Sequence, residues 1–311
     1  MSLVANSVTK HFITNSRWPL KPDYTVAVDS VDCTISPGQT VGVVGESGSG
    51  KSTLARLMLG LIEPTSGTVE FDGRPLTKFG PTQWRDFRRA VQPIFQDPRS
   101  SLNWRHSIET IITEPLENFG QAAPERKKRA LALLEQVRLP ANILRRRTFD
   151  VSGGQLQRVA IARALALDPK YLVCDEPLSA LDVSVQAGVL NLLLDLQAGR
   201  KLAMMFISHD LEVVRHVSDR VIVMYRGAVM EDAPAVDLYT RPRHPYTQVL
   251  LGRANPLAED EAAAPAASAT ATRETSCPFG DRCPMRQDLC FRERPALREV
   301  APGHRTACHF V

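Results

Sequence analysis

"TVGVVGESGSGKSTLARLMLGLI" (residues 40–62) joins a short apolar run to a glycine-rich turn, and the turn to apolar residues at helical spacing. "TVGVVG" (40–45) has the pattern of a strand covered on both faces, as in a parallel sheet flanked by helices. "GESGSGKST" (45–53) satisfies G-x-x-x-x-G-K-[ST] between that strand and that helix, the context the motif requires. Gly45, Gly48 and Gly50 let the backbone curl so that amide groups, including those of Glu46, Ser47 and Ser49, point inward at phosphate oxygens. The helix beginning near Lys51 adds the positive end of its dipole. Lys51 then bridges the terminal phosphates, while Ser52, followed by Thr53, presents a hydroxyl to Mg²⁺. The stretch predicts a nucleoside triphosphate site in an α/β fold.

Outward from it, strands and helices alternate. Strand patterns occupy 25–35, 66–73, 171–176 and "AMMFISHD" (203–210), and "DRVIVMYRGAVMED" (219–232) reads as a hairpin. Helical periods run through "GGQLQRVAIARALAL" (153–167) and 184–199. The first ten residues read as an edge strand, and "NSRWPLKPD" (15–23) as a loop. Residues 100–150 are helical and lack strands. The pattern predicts a parallel-sheet core, residues 1–256, with a helical insertion over about 97–165. "LAEDEAAAPAASATATRET" (257–275) has a linker's composition, and 276–311 is read as a separate four-cysteine module.

Composition narrows the class. Hydrophobic content of 43% and charged content of 23% are ordinary for a globular chain. A net charge of +4 is too weak an excess to point to nucleic acid, and the basic runs at 85–89, 125–129 and 145–147 read as solvated helix faces. No apolar stretch approaches the roughly 20 residues that span a bilayer. The opening "MSLVANSVTKHF" lacks the basic start and apolar core of a secretory signal, so a reducing, cytosolic setting is expected. Cys33 and Cys174, alone in apolar patterns, read as buried and inert.

"YLVCDEPLSALD" (171–182) delivers Asp175 and Glu176 to the C-terminal end of an apolar strand, where parallel sheets bind their ligands. One carboxylate can hold Mg²⁺ through water and the other can polarise an attacking water. "VSGGQLQR" (151–158) then resembles the signature sequence of ABC-type ATPases. The phosphate loop, "IFQDP" with Gln96, the signature, "CDEP", "SALD" with Asp182 and "FISHD" with His209 stand in that family's order. The resemblance implies an antiparallel β subdomain beside the core, ATP as nucleotide and Mg²⁺ held by Ser52, Gln96 and Asp175. It makes Glu176 the general base and His209 the γ-phosphate contact. It also implies that Ser152, Gly153, Gly154 and Gln155 complete the site of a facing ATPase subunit, with Asp182 joining the two. The adenine-stacking aromatic is Tyr24 or Phe12. Val151 and Leu156 depart from the usual signature residues.

"FQDPRSSLNWRHSI" (95–108), "RHPYTQVLL" (243–251) and the cysteine tail resemble ATPase subunits of the oligopeptide/dipeptide/nickel import group. That resemblance implies a second ATPase, two transmembrane permease subunits, a solute-binding protein and a peripheral place on the cytoplasmic face of the inner membrane. Peptides, nickel and other small solutes stay open as cargo, and a soluble, non-transport ABC ATPase is the more distant reading. In the tail, Cys277, Cys283, Cys290 and Cys308 are separated by five, six and seventeen residues. Zinc sites favour closer pairs, whereas a [4Fe–4S] cluster takes four cysteines, and some members of the resembling group carry such a cluster here. Zinc or no metal are the alternatives.

Overall fold

The computed structural model describes residues 2–15, 23–256 and 275–311. The loop read at 15–23 and the linker read at 257–275 fall almost wholly outside the described residues.

β1 (Leu3–Asn15) and β2 (Asp23–Ile35) form a long antiparallel pair, with Leu3 opposite Ile35. β3 (Thr40–Val44) is buried at every position, and α1 (Lys51–Met58) follows the phosphate-loop motif. β4 (Ser66–Phe71) and the short β5 (Arg74–Pro75) complete an antiparallel sheet in the order β2-β1-β4-β5. The N-terminal strand is therefore internal, not an edge. Its alternating pattern cannot report this, because its second neighbour, β4, arrives some sixty residues later in the chain.

α2 (Pro81–Ala90) leads into β6 (Val91–Ile94). α3 (Pro98–Ser101), α4 (Ile108–Asn118), α5 (Ala123–Gln136) and α6 (Gly153–Ala164) then pack together through Ile112, Leu116, Leu133 and Leu156. The chain returns as β7 (Tyr171–Asp175), α7 (Val183–Arg200), β8 (Ala203–Ile207), α8 (Leu211–Val217), β9 (Arg220–Tyr225) and β10 (Ala228–Pro234). α9 (Ala235–Thr240) and α10 (Pro245–Leu250) follow, and the tail adds α11 (Leu289–Arg292), β11 (Arg298–Ala301) and β12 (His304–Thr306).

The large sheet runs β11-β12-β10-β9-β3-β8-β7-β6. From β9 to β6 its neighbours are parallel; β10, β12 and β11 pair antiparallel. Period-two alternation splits its apolar residues between two cores. Val41, Val43, Met205 and Ile207 join α1 and the antiparallel sheet, while Val44, Met204, Phe206 and Cys174 face the helical insertion and α7. Cys33 and Cys174 lie in these cores, and burial pushes both thiols up to about 12.

Two readings change. The basic runs are not only solvated faces: Arg88 donates to Leu59 O at 2.7 Å and Gly60 O at 3.1 Å, and Arg129 donates to Leu165 O at 3.2 Å. These guanidinium groups satisfy carbonyls at and just past the C-caps of α1 and α6. The tail, read as separate, pairs with the core sheet: Glu231 lies opposite Thr306 and Asp232 opposite Arg305. β12 thereby covers the outer edge of β10. Glu231 is fully buried and accepts from the amides of Arg243 (2.7 Å) and His244 (2.9 Å), with His304 Nε2 at 2.6 Å. Asp232, 1% exposed, is paired with both Arg220 and Arg305. Asp232→Ala strands two guanidinium groups at this junction and is expected to cost about 3 kcal/mol, read as a lower urea midpoint; an unchanged midpoint would separate the junction from stability.

Candidate active site

β3, β7 and β8 are parallel neighbours, so their C-terminal ends open on one edge of the sheet. The phosphate loop leaves β3 there, Asp175 and Glu176 leave β7, and Ser208 and His209 leave β8. This fold logic brings together residues more than a hundred positions apart.

The loop fits where only glycine fits. Gly45 has φ 149° and a Cβ on it would stand 2.1 Å from Met224 O; Gly50 has φ 102° and its Cβ would meet Ala27 O at 2.2 Å. Lys51 Nζ donates to the carbonyls of Gly45 and Glu46, both at 2.8 Å. Burial lowers the Lys51 pKa, against the opposing pull of Glu176, Asp175 and Glu46. Ser52 Oγ donates to Asp175 Oδ1 at 2.9 Å. Burial raises the Asp175 pKa, and the Ser52 bond works against that rise. Two hard oxygen donors thus meet at one point, the kind of set Mg²⁺ prefers.

Glu176 takes a left-handed backbone, φ 47°, and its amide donates to Ile207 O at 3.0 Å. This turn aims its carboxylate across the strand ends. Gln96 Nε2 donates to Glu176 Oε2 at 3.0 Å, and His209 Nδ1 lies 3.4 Å from the same oxygen. Gln96, Glu176, His209, Ser47, Gly48 and Gly50–Thr53 line one open cavity of about 370 Å³, together with Ala27 of β2.

Other predicted residues stand elsewhere. Ser152 Oγ accepts from Gln155 N at 3.3 Å and Gln155 Oε1 accepts from Ser152 N at 3.1 Å, a reciprocal cap on α6. Gly153 and Gly154 face Leu181 and Val185, beside Asp182 at the start of α7. None of these lines the phosphate cavity. Tyr24 (58% exposed) and Phe12 (40%) lie on paired strands, and neither lines it. Sequence reasoning missed Ala27, Met224 and Gly227, which confine the loop through backbone contacts; Gly227 N donates to Ser49 O at 2.9 Å. No residue-type signal marks a backbone neighbour.

Cys277, Cys283, Cys290 and Cys308 line one small, mostly apolar cavity with Met285, Pro295 and Phe310, and His244 and His309 stand at its wall. Burial pushes the Cys277 thiol up to about 12 and Cys283 to about 11. Among the described residues, no three His, Cys, Asp or Glu side chains are gathered closely enough to hold a single metal ion.

Comparison with known proteins agrees with this geometry. The ABC transporter family matches residues 28–179, and the family described as the oligopeptide/dipeptide transporter C-terminal region matches residues 230–290. A Brucella ovis protein named as a peptide import ATP-binding protein is 47% identical over 98% of this chain and 96% of its own length. A Sinorhizobium fredii protein named as a peptide ABC transporter ATP-binding protein is 44% identical over 99% of this chain and 89% of its own. Among solved structures, the dimeric ATP-binding cassette MJ0796 bound to ADP and Pi aligns with a TM-score of 0.67 and 29% identity, over 75% of this chain and 98% of that one. The cbiO1 subunit of the Clostridium perfringens ABC transporter complex cbiONQ aligns with a TM-score of 0.66 and 26% identity, over 77% and 90%. The fold and the site define a P-loop ATPase of the ABC class. The chain belongs to the ABC transporter family, as an ATP-binding subunit with an oligopeptide/dipeptide-type C-terminal region.

Lys51→Ala removes an ammonium held within the loop and is expected to weaken MgATP binding by about 1.5–3 kcal/mol, measured by calorimetric titration. Wild-type affinity would remove the loop from the nucleotide site.

Proposed function

We propose that this chain binds and hydrolyses MgATP to drive uptake of di- or oligopeptides through an ABC importer. It works with a second, homologous ATPase subunit on two membrane-spanning permeases at the cytoplasmic face of the membrane, and a solute-binding protein delivers the peptide. The observation that carries the reading is the convergence of Lys51, Ser52, Gln96, Asp175, Glu176 and His209 at one strand edge, in a chain with the C-terminal region of peptide transporters. Among the described residues no helix is long and apolar enough to cross a membrane.

The phosphates of ATP lie along the amides of Gly45–Thr53, with Lys51 at the β- and γ-phosphates. Ser52, Asp175 and Gln96 would hold Mg²⁺, which would supply positive charge for the transferring phosphoryl group when bound. Glu176 takes a proton from water as the water oxygen bonds to the γ-phosphorus and the bond to the β–γ bridging oxygen breaks, releasing ADP and phosphate. Gln96 and His209, both against Glu176 Oε2, set the direction of that carboxylate. The capped start of α6, outside its own subunit's cavity, is free to present Ser152–Gln155 to the nucleotide of the other subunit, with its dipole favouring the γ-phosphate. Asp182, at the neighbouring start of α7, contacts that subunit, and Tyr24 stacks on adenine.

The tail cysteines are assigned to a [4Fe–4S] cluster. Four thiols spread around one apolar cavity suit a cluster better than a single zinc, which draws its ligands to about 2.3 Å from one point. The cluster would staple a loop-rich segment with little core of its own.

Glu176→Gln should keep MgATP affinity within about twofold while lowering turnover by at least about 10²-fold in the assembled complex; unchanged turnover removes Glu176 as the base. Iron and acid-labile sulfide on anaerobically purified chain should reach about four of each and be lost in Cys283→Ser. One zinc, or no metal, would overturn the cluster.

A further inference from the structure

The C-terminal region does more than extend the sheet: it reaches the phosphate loop by two routes. The first ends on Glu46. Its amide donates to Tyr246 Oη at 2.9 Å, and Arg282 Nη1 donates to both of its carboxylate oxygens at 3.1 and 3.0 Å. The second ends on Ser49. Phe279, 1% exposed, packs 5.4 Å from Tyr225 and 5.2 Å from Tyr246, and those two rings are 4.6 Å apart. Beside Tyr225, Arg226 donates to Pro278 O at 3.4 Å and pairs with Asp281 at 3.5 Å, while Gly227 donates to Ser49 O. The residues on the tail side, Pro278 to Arg282, are the interval between Cys277 and Cys283.

We propose that Arg282 and Tyr246 are positioning residues for nucleotide binding, acting through Glu46, and that the C-terminal module is thereby a brace on the phosphate loop. The inference rests on the reading of Gly45–Thr53 as the ATP site. Two physical effects combine. Tyr246 fixes the direction of the Glu46 amide at the turn where the chain leaves β3, and with it the plane of the loop's first peptide. Arg282 neutralises a carboxylate that is 39% exposed and sits beside the place where a polyanion binds. Without that partner the charge of Glu46 repels phosphate across a short, weakly screened distance.

The test is titration of MgATP into the full-length chain at low and high ionic strength, with Lys51→Ala as reference. Arg282→Ala is expected to raise Kd by about two- to fivefold, more at low salt. Arg282→Lys, which keeps the charge, should return most of the affinity. Tyr246→Phe keeps the ring in its aromatic cluster and should raise Kd by about two- to threefold with no salt dependence. In the assembled complex the Arg282→Ala loss should fall on KM for ATP and leave kcat within about twofold. Should Arg282→Ala fail to fold, Arg282→Lys and Tyr246→Phe carry the test. Wild-type Kd in the Arg282 and Tyr246 variants, with binding lost in Lys51→Ala, overturns the brace alone. Equal losses in Arg282→Ala and Arg282→Lys, insensitive to salt, also overturn it, because they would mark lost packing. Unaltered binding in Lys51→Ala overturns the ATP-site reading and the brace together.

Discussion

β3 is covered on both faces and hydrogen-bonded on both sides, by β8 and β9, so nothing along its length can meet solvent. The rest of the molecule follows from that burial. A strand with no free face can contribute chemistry only where it ends, and it ends in a turn that glycine alone can make, with Gly45 against Met224 O and Gly50 against Ala27 O. Because β7 and β8 run parallel to β3, their ends deliver the carboxylates and the histidine to the same edge. The Ser52–Asp175 bond and the Gln96–Glu176–His209 contacts are consequences of shared strand direction.

Local surroundings separate the two carboxylates of the site. Asp175 is buried and held by Ser52, which suits a ligand of a cation. Glu176, one residue later, is turned by its left-handed backbone toward Gln96 and His209, which suits a group that must orient a water. Adjacent acids thereby stand in different surroundings. The glycines at the start of α6 and Asp182 at the start of α7 lie beside each other and outside the phosphate cavity.

Much of this was legible because the motifs are local. G-x-x-x-x-G-K-S, "CDEP" and "SHD" each place their chemistry within a few residues of a strand end, and apolar periodicity marks the strands. What stayed hidden depends on contacts distant in sequence. That β1 is internal depends on β4, and that the tail belongs to the core depends on β12 finding β10 across more than seventy residues. Tyr246 stands in a stretch that marks the family, but neither its role nor that of Arg282 could be read there, since the residue they hold, Glu46, lies two hundred or more positions away. The cysteines were legible as a set. Their convergence on one apolar cavity was not, because uneven spacing specifies no geometry.

The central claim is that ATP hydrolysis at this edge of the sheet moves a peptide through a membrane partner. The most direct measurement is peptide uptake and phosphate release, recorded together in liposomes containing the chain assembled with its partner ATPase and both permeases. The account predicts that uptake rises in proportion to ATP hydrolysed and stops when a non-hydrolysable analogue replaces ATP. Steady hydrolysis without movement of any di- or oligopeptide would contradict it.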